Sequence, residues 1–306
     1  MARFGLDRFV FLSMTIITVV MVFVVLGFLL WVAYPIFVSQ GLGFLTGTTW
    51  NYSTSEYGIF YFLVGTLALT GVTIFIAAPM GVMTAVFLAE MAPSPLEKTL
   101  RPFVELLVGI PSIVFGLFGL FVLAPVFRDT IDPFIGNTLG QVFFFFVDTN
   151  PRAGTSILLA SIILAIMVLP TIVAVSYDSL KAVPHDFREA SFALGTTKWE
   201  TITKIVVPAA ISGIFTAVIL GIMRAMGETM AVVMLMGNFE IIPTSVLDGS
   251  YAMTSKILND IVYHMDDPEP RAALFAIGFV LFALEFLLVA VARLVNKMLI
   301  RHLHGG

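Results

Sequence analysis

The decisive stretch of this chain runs from Glu189 to Pro208 and reads EASFALGTTKWETITKIVVP. Glu189 is followed by two small residues, Gly195 comes six positions after it, and Pro208 ends a short apolar run. The stretch belongs to a basic loop, residues 178–208, that separates two long apolar segments. We therefore interpret it as a folded loop on the inner surface of a membrane that serves to couple the protein to a partner.

Two short helices joined by a turn are predicted within this loop. Pro184 and Asp186 open the first helix, and Gly195 suits the position just past its end. Thr197 and Glu200 form a capping box that starts the second helix. Pro208 marks entry to the next apolar segment. The predicted apolar edge holds Phe187, Ala190, Ser191, Leu194, Trp199, Ile202 and Ile205, and the predicted charged rim holds Arg188, Glu189, Lys198 and Lys204.

The composition is that of a membrane protein. Hydrophobic residues make up 59% of the 306 residues, charged residues make up 12%, and the mean hydropathy is +1.02. Soluble domains are about half apolar and a quarter charged. Spans of about 20 apolar residues fit a hydrocarbon core of ~30 Å. The sequence predicts an all-α polytopic fold with six transmembrane helices, at 9–34, 59–89, 102–127, 154–177, 209–237 and 272–294.

The distribution of positive charge predicts the orientation. With the N-terminus inside, four Lys and Arg fall in outer loops, Arg224 lies within a span, and the rest fall in inner loops and tails. The inner residues are Arg3, Arg8, Lys98, Arg101, Lys181, Arg188, Lys198, Lys204, Arg293, Lys297 and Arg301. This asymmetry follows the positive-inside rule, so both termini are predicted to be cytoplasmic. The absence of cysteine excludes disulfides, and the scattered histidines argue against a metal site.

Three parts are predicted along the chain. Residues 1–57 form an uncleaved anchor helix and an outer loop, residues 58–297 form a five-span core, and residues 298–306 form a tail. Two outer segments, 128–153 and 238–271, are longer than simple turns. The second carries an amphipathic stripe of Ile257, Leu258, Ile261, Val262 and Met265. An interfacial helix and a docking surface for an outside partner both fit this stripe.

A charged pair is predicted inside the fifth span. Arg224 lies 15 residues past the predicted start of that span, about 22 Å along it and therefore near mid-membrane. Glu228 follows one helical turn later on the same face, where a salt bridge is expected. The pair fits a structural lock between helices. It also fits a polar pathway in which Arg224, with Thr229 beside it, meets an anionic solute, because a guanidinium matches phosphate geometry.

Two further polar residues are candidates for the pathway. Glu105 follows Pro102 near the predicted inner end of the third span. A carboxylate there could stabilise the N-terminus of the helix, or it could act in gating. Ser112, next to Pro111, could offer its hydroxyl to a passing anion or satisfy backbone groups freed by the proline.

The loop at 178–208 resembles the coupling loop of type I ABC importer permeases, E-A-A-x3-G-x9-I-x-L-P. Ser191 and Val207 stand at the second Ala and at the Leu of that pattern. The resemblance implies a MetI-like core of five helices plus an N-terminal helix. It also implies that the loop is held by a separate ATPase through Arg188, Glu189, Ala190, Ser191, Gly195 and Pro208.

Two span motifs narrow the resemblance to PstC-type phosphate permeases. The run from Met223 to Val232, MRAMGETMAV, is similar to that family's G-R-A-x-G-E-T-M-A-V pattern, with Met223 in place of Gly. The run from Val104 to Gly116, VELLVGIPSIVFG, is similar to its E-L-L-x-x-I-P-S-I-V-x-G pattern. The resemblance implies inorganic phosphate import in a cell membrane, with a PstA-type permease subunit, two PstB-type ATPases and an external PstS-type binding protein.

Cofactor chemistry is expected to lie outside this chain. No lysine directly follows a glycine, so the chain lacks a P-loop, and ATP and Mg²⁺ are assigned to the partner ATPase. Import of another oxyanion, such as sulfate, molybdate or phosphonate, is the alternative. A polytopic membrane enzyme is disfavoured because neither G-x-S-x-G nor H-E-x-x-H occurs. No nucleic acid partner is expected.

Overall fold

The computed structural model describes residues 3–147 and 154–304 of the chain. Within these residues, six helical segments are long and apolar enough to cross a membrane, as predicted. They are Arg8–Gln40, Phe60–Met91, Ser112–Gln141, Ile157–Lys181, Lys198–Gly227 and Pro268–Met298. The chain divides into two compact units, one from residues 1–60 and 256–283 and one from residues 61–255 and 284–306.

The first unit contains helix α1 (Arg3–Gln40), helix α2 (Gly43–Thr46) and a small hairpin of β1 (Trp50–Asn51) and β2 (Glu56–Tyr57). The strands are antiparallel, with Trp50 opposite Tyr57. The N-terminal part of α1 is almost wholly exposed and strongly apolar, as a helix facing lipid would be.

A buried lysine organises the same unit. Lys256 is 4% exposed, and its Nζ lies 2.8 Å from Asp260 Oδ2 and 5.0 Å from the centre of the Trp50 ring. Tyr52 donates a hydrogen bond to Asp260, and the ring of His264 stacks on Tyr52 at 3.8 Å. Burial and this hydrogen bond both raise the pKa of the Tyr52 hydroxyl.

The second unit is built around α8 (Ile157–Lys181), the most buried of the six spans. Helix α11 (Val207–Gly227) packs antiparallel to it, since Gly213 lies against Ser179 and Gly221 lies against Ile172. A Cβ on Gly213 would lie 2.1 Å from Ser179 Oγ, so the absence of a side chain permits this close approach.

Shorter elements complete the second unit. Its first span, α3 (Phe60–Val86), ends in a π-helical turn at Phe87–Met91. The remaining helices are α4 (Ser94–Leu106), α5 (Ser112–Phe118), α6 (Ala124–Val126), α7 (Asp132–Thr138), α9 (His185–Ala193), α10 (Lys198–Thr201) and α12 (Met230–Leu235). Helices α13 (Met253–His264) and α14 (Pro268–His304) supply residues to both units.

The predicted limits of the third span are wrong. Residues 102–106 belong to α4, and a break at 107–111 separates α4 from the helical segment Ser112–Gln141. The break has a local cause, because Ile110 precedes Pro111 and is extended (φ −76°, ψ 124°). The helical segment then continues to Gln141, into residues expected to be an outer loop.

The predicted limits of the fifth span are also wrong. Its helical segment begins at Lys198, inside the basic loop, and ends at Gly227 rather than at 237. Pro208 does not interrupt it. Instead, a π-helical turn at Ile202–Val206 precedes the proline. The altered hydrogen-bond pattern of this turn fits a proline, which has no backbone N–H to donate. Glu228 is extended (φ −68°, ψ 131°), and α12 starts two residues later.

Candidate functional site

The loop at 178–208 folds into the two helices that the sequence predicts. Helix α9 follows Pro184 and is succeeded by Gly195 at φ +81°, a left-handed conformation that favours glycine. The capping box of Thr197 and Glu200 is formed in both directions. Since α10 runs on into α11, the turn at Gly195 is directly attached to a membrane span.

Three hydroxyl groups close this turn from the inside. Ser191 Oγ lies 2.6 Å from Thr196 Oγ1 and 2.9 Å from Thr201 Oγ1, and these two threonine atoms lie 3.0 Å apart. Ser191 is 6% exposed. The serine at this position therefore has a structural role, because its hydroxyl connects α9 to α10.

Arg188 does not lie on the exposed rim where the sequence placed it. Its side chain is 12% exposed and binds Glu90, with Nη2–Oε1 at 2.6 Å and Nε–Oε2 at 3.3 Å. The guanidinium also donates to the carbonyl oxygens of Val183 at 2.7 Å and Leu180 at 3.0 Å. Arg188 thus holds α9 to the end of the α3 span.

Large apolar side chains remain exposed on the outer side of the two helices. Phe187 is 53% exposed, Trp199 is 61% exposed and Leu194 is 85% exposed. Ile202, from the same predicted apolar edge, is buried at 2%. Glu189 and Ala190 are exposed beside them. An apolar group of this kind, next to charged residues, is typical of a protein interaction surface.

A second polar region lies where α11 ends. Arg224 Nη1 donates a hydrogen bond of 2.8 Å to Thr171 Oγ1, and Arg224 forms no ion pair with another residue that the structure describes. Thr171 is near the middle of α8, which runs from Ile157 to Lys181. Arg224 is therefore beside the middle of a membrane span, although it is in the last turn of its own helix. Most of its five N–H donors remain available.

The salt bridge expected between Arg224 and Glu228 is not formed. Because the helix ends at Gly227, Glu228 does not continue the face on which Arg224 lies. Its Oε1 instead accepts from the backbone N–H groups of Thr229 at 3.1 Å and Ala231 at 3.4 Å, at the start of α12. Thr254 Oγ1 donates to the Glu228 carbonyl oxygen at 3.0 Å.

Ser112 lies at the same end of the unit as Thr229. A Cβ on Gly116 would lie 3.2 Å from Ala231 Cα, and one on Gly119 would lie 2.7 Å from Leu235 Cδ2, so α5 and α12 run parallel. Ser112 begins α5 one turn before Gly116. The break before α5 and the break before α12 therefore lie side by side.

Glu105 lies apart from these residues and is not at a helix N-terminus. It is in the last turn of α4, where its Oε1 accepts from Arg101 Nε at 2.8 Å. Arg101 also reaches Asp178 at 3.3 Å, and Asp178 is seven residues, about 10 Å, along α8 from Thr171. Nearby, a hydrogen bond from Tyr177 lowers the pKa of the Glu97 carboxyl.

Two residues of these regions had only weak signals in the sequence. Glu90 ends an apolar run, and Thr171 is an ordinary threonine next to Pro170. Glu285 is half-buried in α14, and a Cβ on Gly227 would lie 3.7 Å from its Oε1. In the described residues, no group of three or more His, Cys, Asp or Glu could hold a metal ion.

Known proteins are similar to this chain in sequence and in architecture. Residues 77–301 match the family model described as "Binding-protein-dependent transport system inner membrane component". The phosphate transport system permease protein PstC of Mesorhizobium japonicum is 36% identical over 299 residues, covering 95% of this chain and 90% of that protein. The probable ABC transporter permease protein YqgH of Bacillus subtilis is 37% identical over 256 residues, covering 83% of this chain and 77% of that protein.

A solved structure extends the likeness to the fold. A chain of a bacterial ABC transporter involved in the import of the acidic polysaccharide alginate matches with a TM-score of 0.56 at 14% identity. The match covers 94% of this chain and 96% of that chain. At this level of identity, the likeness concerns the helical architecture alone.

Proposed function

The chain belongs to the family of binding-protein-dependent transport system inner membrane components, and from this we propose that it is the permease subunit of an ATP-driven importer of inorganic phosphate. It is a multi-pass membrane protein and a transport subunit rather than an enzyme. Support for phosphate comes from the relatives named PstC, which match over most of the chain.

The observation that best supports an anionic substrate is the environment of Arg224. Its guanidinium lies beside the middle of α8 with one hydrogen bond, to Thr171, and without a carboxylate partner in the described residues. An arginine at membrane depth is costly and is usually directed into a protein interior or a water-filled cavity. A guanidinium with free donors can bind a phosphate oxygen pair, and the single hydrogen bond to Thr171 holds it ready.

The pathway that we propose begins with Arg224 and includes the two adjacent helix breaks. Thr229 and Ser112 offer hydroxyl groups at these breaks, and Glu228 fixes the start of α12. Passage requires weak binding, and we propose that the negative charge of Glu228, next to the second break, opposes tight binding of the anion. Glu105 is assigned a more distant role, since its carboxylate is occupied by Arg101.

Transport of this kind requires partners. A second permease subunit, an ATPase and a binding protein are implied by the family, and we assign them to the PstA, PstB and PstS types. Two ATPase copies are proposed, with ATP and Mg²⁺ bound by them and no cofactor held by this chain. The exposed Phe187, Leu194 and Trp199 of the α9–α10 turn are the surface proposed for the ATPase.

The same assignment gives the proposed orientation. If the ATPase is cytoplasmic, the α9–α10 turn is cytoplasmic too, and both termini then lie on that side in accordance with the positive-inside rule. The amphipathic helix α13, in which Val262 is 77% exposed, then faces the outside. With this orientation, we propose that residues 1–57 form the anchor helix and outer loop, residues 58–297 the permease core and residues 298–306 the cytoplasmic tail.

Uptake of radiolabelled phosphate tests the proposal. The chain is expressed with its partner subunits in a strain that lacks its own phosphate importer, with sulfate, molybdate and phosphonate as competitors. Saturable uptake that unlabelled phosphate suppresses, and the other oxyanions do not, is the expected result. Uptake of sulfate or molybdate that phosphate leaves unchanged would instead identify the alternative oxyanion importer.

A further inference from the structure

An apolar groove runs along the first unit between α1 and the beginning of α14. It has a volume of about 580 Å³, and its walls include Phe28, Trp31, Pro35, Met265, Arg271 and Phe275. The ring of Phe28 packs edge-on against Phe275, with ring centres 5.8 Å apart. Trp31 is 75% exposed at the side of the groove. Both helices are long and apolar enough to cross a membrane, so a groove between them is a place that lipid could reach.

One arginine, Arg271, lines the groove. Arg271 is half-buried in the first turn of α14, where the helix dipole disfavours a cation. Its Nη1 donates to the Met265 carbonyl oxygen at 3.4 Å, and it forms no ion pair with any residue that the structure describes. A guanidinium with unused donors at the end of an apolar groove is complementary to an anion that carries an apolar tail.

Acidic residues lie close to Arg271 in the sequence, and one of them, Glu269, also accepts a hydrogen bond of 2.8 Å from Ser55 Oγ. Glu269 lines a smaller adjoining groove of about 260 Å³, which shares Pro35, Pro268 and Ala272 with the first. Asp266 and Asp267 precede it in the chain. The carboxylate of Glu269 would repel a ligand that carries a second negative charge. A ligand with one negative and one positive charge would find a partner for each, Arg271 for the first and Glu269 for the second.

We propose that this groove is a binding site for a zwitterionic phospholipid of the phosphatidylethanolamine type. The phosphate of the headgroup binds Arg271, and the ammonium group faces Glu269. An acyl chain occupies the groove between Trp31 and Phe275. Tryptophan is enriched at the depth where headgroup and hydrocarbon meet, which fits the position of Trp31 beside Arg271.

Lipid binding to the full-length chain in its assembled, detergent-purified complex tests this proposal. Retained lipids are identified by mass spectrometry, and the thermal midpoint is titrated with phosphatidylethanolamine, phosphatidylglycerol or inorganic phosphate. We expect phosphatidylethanolamine to be retained and to raise the midpoint most. In Arg271→Gln, its apparent affinity should fall about tenfold, the effect of losing a charge-assisted hydrogen bond.

Two further variants make the test specific. Trp31→Ala removes an exposed side chain from the groove wall and should weaken lipid binding without unfolding the chain. Arg293→Gln makes the same substitution at an exposed arginine of α14 outside the groove and should bind as the unmodified chain does. Unchanged binding in Arg271→Gln would overturn the proposal. So would equal stabilisation by phosphatidylglycerol. A full effect of inorganic phosphate that Arg271→Gln abolishes would also overturn it, because phosphate bound at Arg224 would still stabilise this variant.

Discussion

Arg188 and Glu90 are 98 residues apart in the sequence and form a nearly buried, two-point ion pair, with their closest atoms 2.6 Å apart. The pair joins the end of the α3 span to the short helix α9. The α9–α10 turn is therefore attached to three spans: to α3 through Glu90, to α8 through the Leu180 carbonyl oxygen, and to α11 through the chain itself.

Arg188→Met should therefore destabilise the protein. Because Glu90 would be left with an uncompensated charge, the expected loss is about 3 kcal/mol in the free energy of unfolding. The double variant Arg188→Met with Glu90→Leu should recover part of that loss. Unfolding in detergent, followed by circular dichroism, measures both effects.

Lys204→Met is the matched control for this experiment. The Lys204–Glu200 pair has a similar distance, 3.1 Å, but its side chains are 69% and 40% exposed. Solvent screens such a pair, so little change is expected. Equal losses in Arg188→Met and Lys204→Met would contradict a special role for the buried pair.

Arg224→Gln should reduce phosphate uptake by at least about tenfold while the complex still assembles, since one to two charge-assisted hydrogen bonds to the anion are lost. Arg224→Lys keeps the charge but not the planar geometry, and an intermediate rate is expected. Uptake of labelled phosphate by cells with equal amounts of complex is the measurement. Arg128→Gln, at an arginine already paired with Asp129 at 2.8 Å, is the control. Normal uptake in Arg224→Gln would remove this residue from the pathway.

Gly195→Ala should separate ATP hydrolysis from transport. A Cβ at Gly195 would meet no atom within 4 Å, so the penalty comes only from its φ of +81° and should be about 1–2 kcal/mol. The turn would then change shape at the surface proposed for the ATPase. The ratio of phosphate transported to ATP hydrolysed in proteoliposomes is expected to fall.

Gly71→Ala provides the comparison for Gly195. Gly71 also has open space around it but lies in helix α3 with an ordinary φ. Its coupling ratio should stay at the value of the unmodified chain. If Gly195→Ala keeps both that ratio and the co-purification of the ATPase, the turn has no part in coupling.

The Glu97 carboxyl gives a pH dependence. The hydrogen bond from Tyr177 lowers its folded-state pKa below the unfolded value, so its stabilisation is complete above the unfolded pKa and is lost as the pH falls through the folded pKa. The thermal midpoint should decline as the pH falls below about 4.5, the ordinary pKa of a glutamate. Tyr177→Phe should flatten this part of the profile. An identical decline in both proteins would exclude the contribution of this hydrogen bond.

Local signals in the sequence were sufficient for much of this structure. Thr197 and Glu200 cap α10, and Gly195 takes the left-handed conformation, because capping and glycine geometry depend only on neighbouring residues. The number of spans followed from apolar length. The pairing of Arg188 with Glu90 could not be predicted, because it depends on how α3 packs beside α9.

The errors at the third span and at the end of the fifth span both come from helix breaks that were not predicted. Hydropathy does not register a break when the residues at the break are themselves apolar, as at Leu107–Pro111. The expected contact between Arg224 and Glu228 assumed an unbroken helix, and the extended backbone of Glu228 removed it. Gly227 was the available signal for this ending.

The helical segment from Lys198 to Gly227 has mechanical consequences. At 1.5 Å per residue this continuous segment is about 45 Å long, with the α9–α10 turn at one end and Arg224 near the other. Tilting it by about 5° would displace the far end by about 4 Å, more than the length of a hydrogen bond. The π-helical turn at Ile202–Val206 lies near the end of this segment that carries the α9–α10 turn. A small displacement of the α9–α10 turn would therefore move Arg224 by about the length of a hydrogen bond.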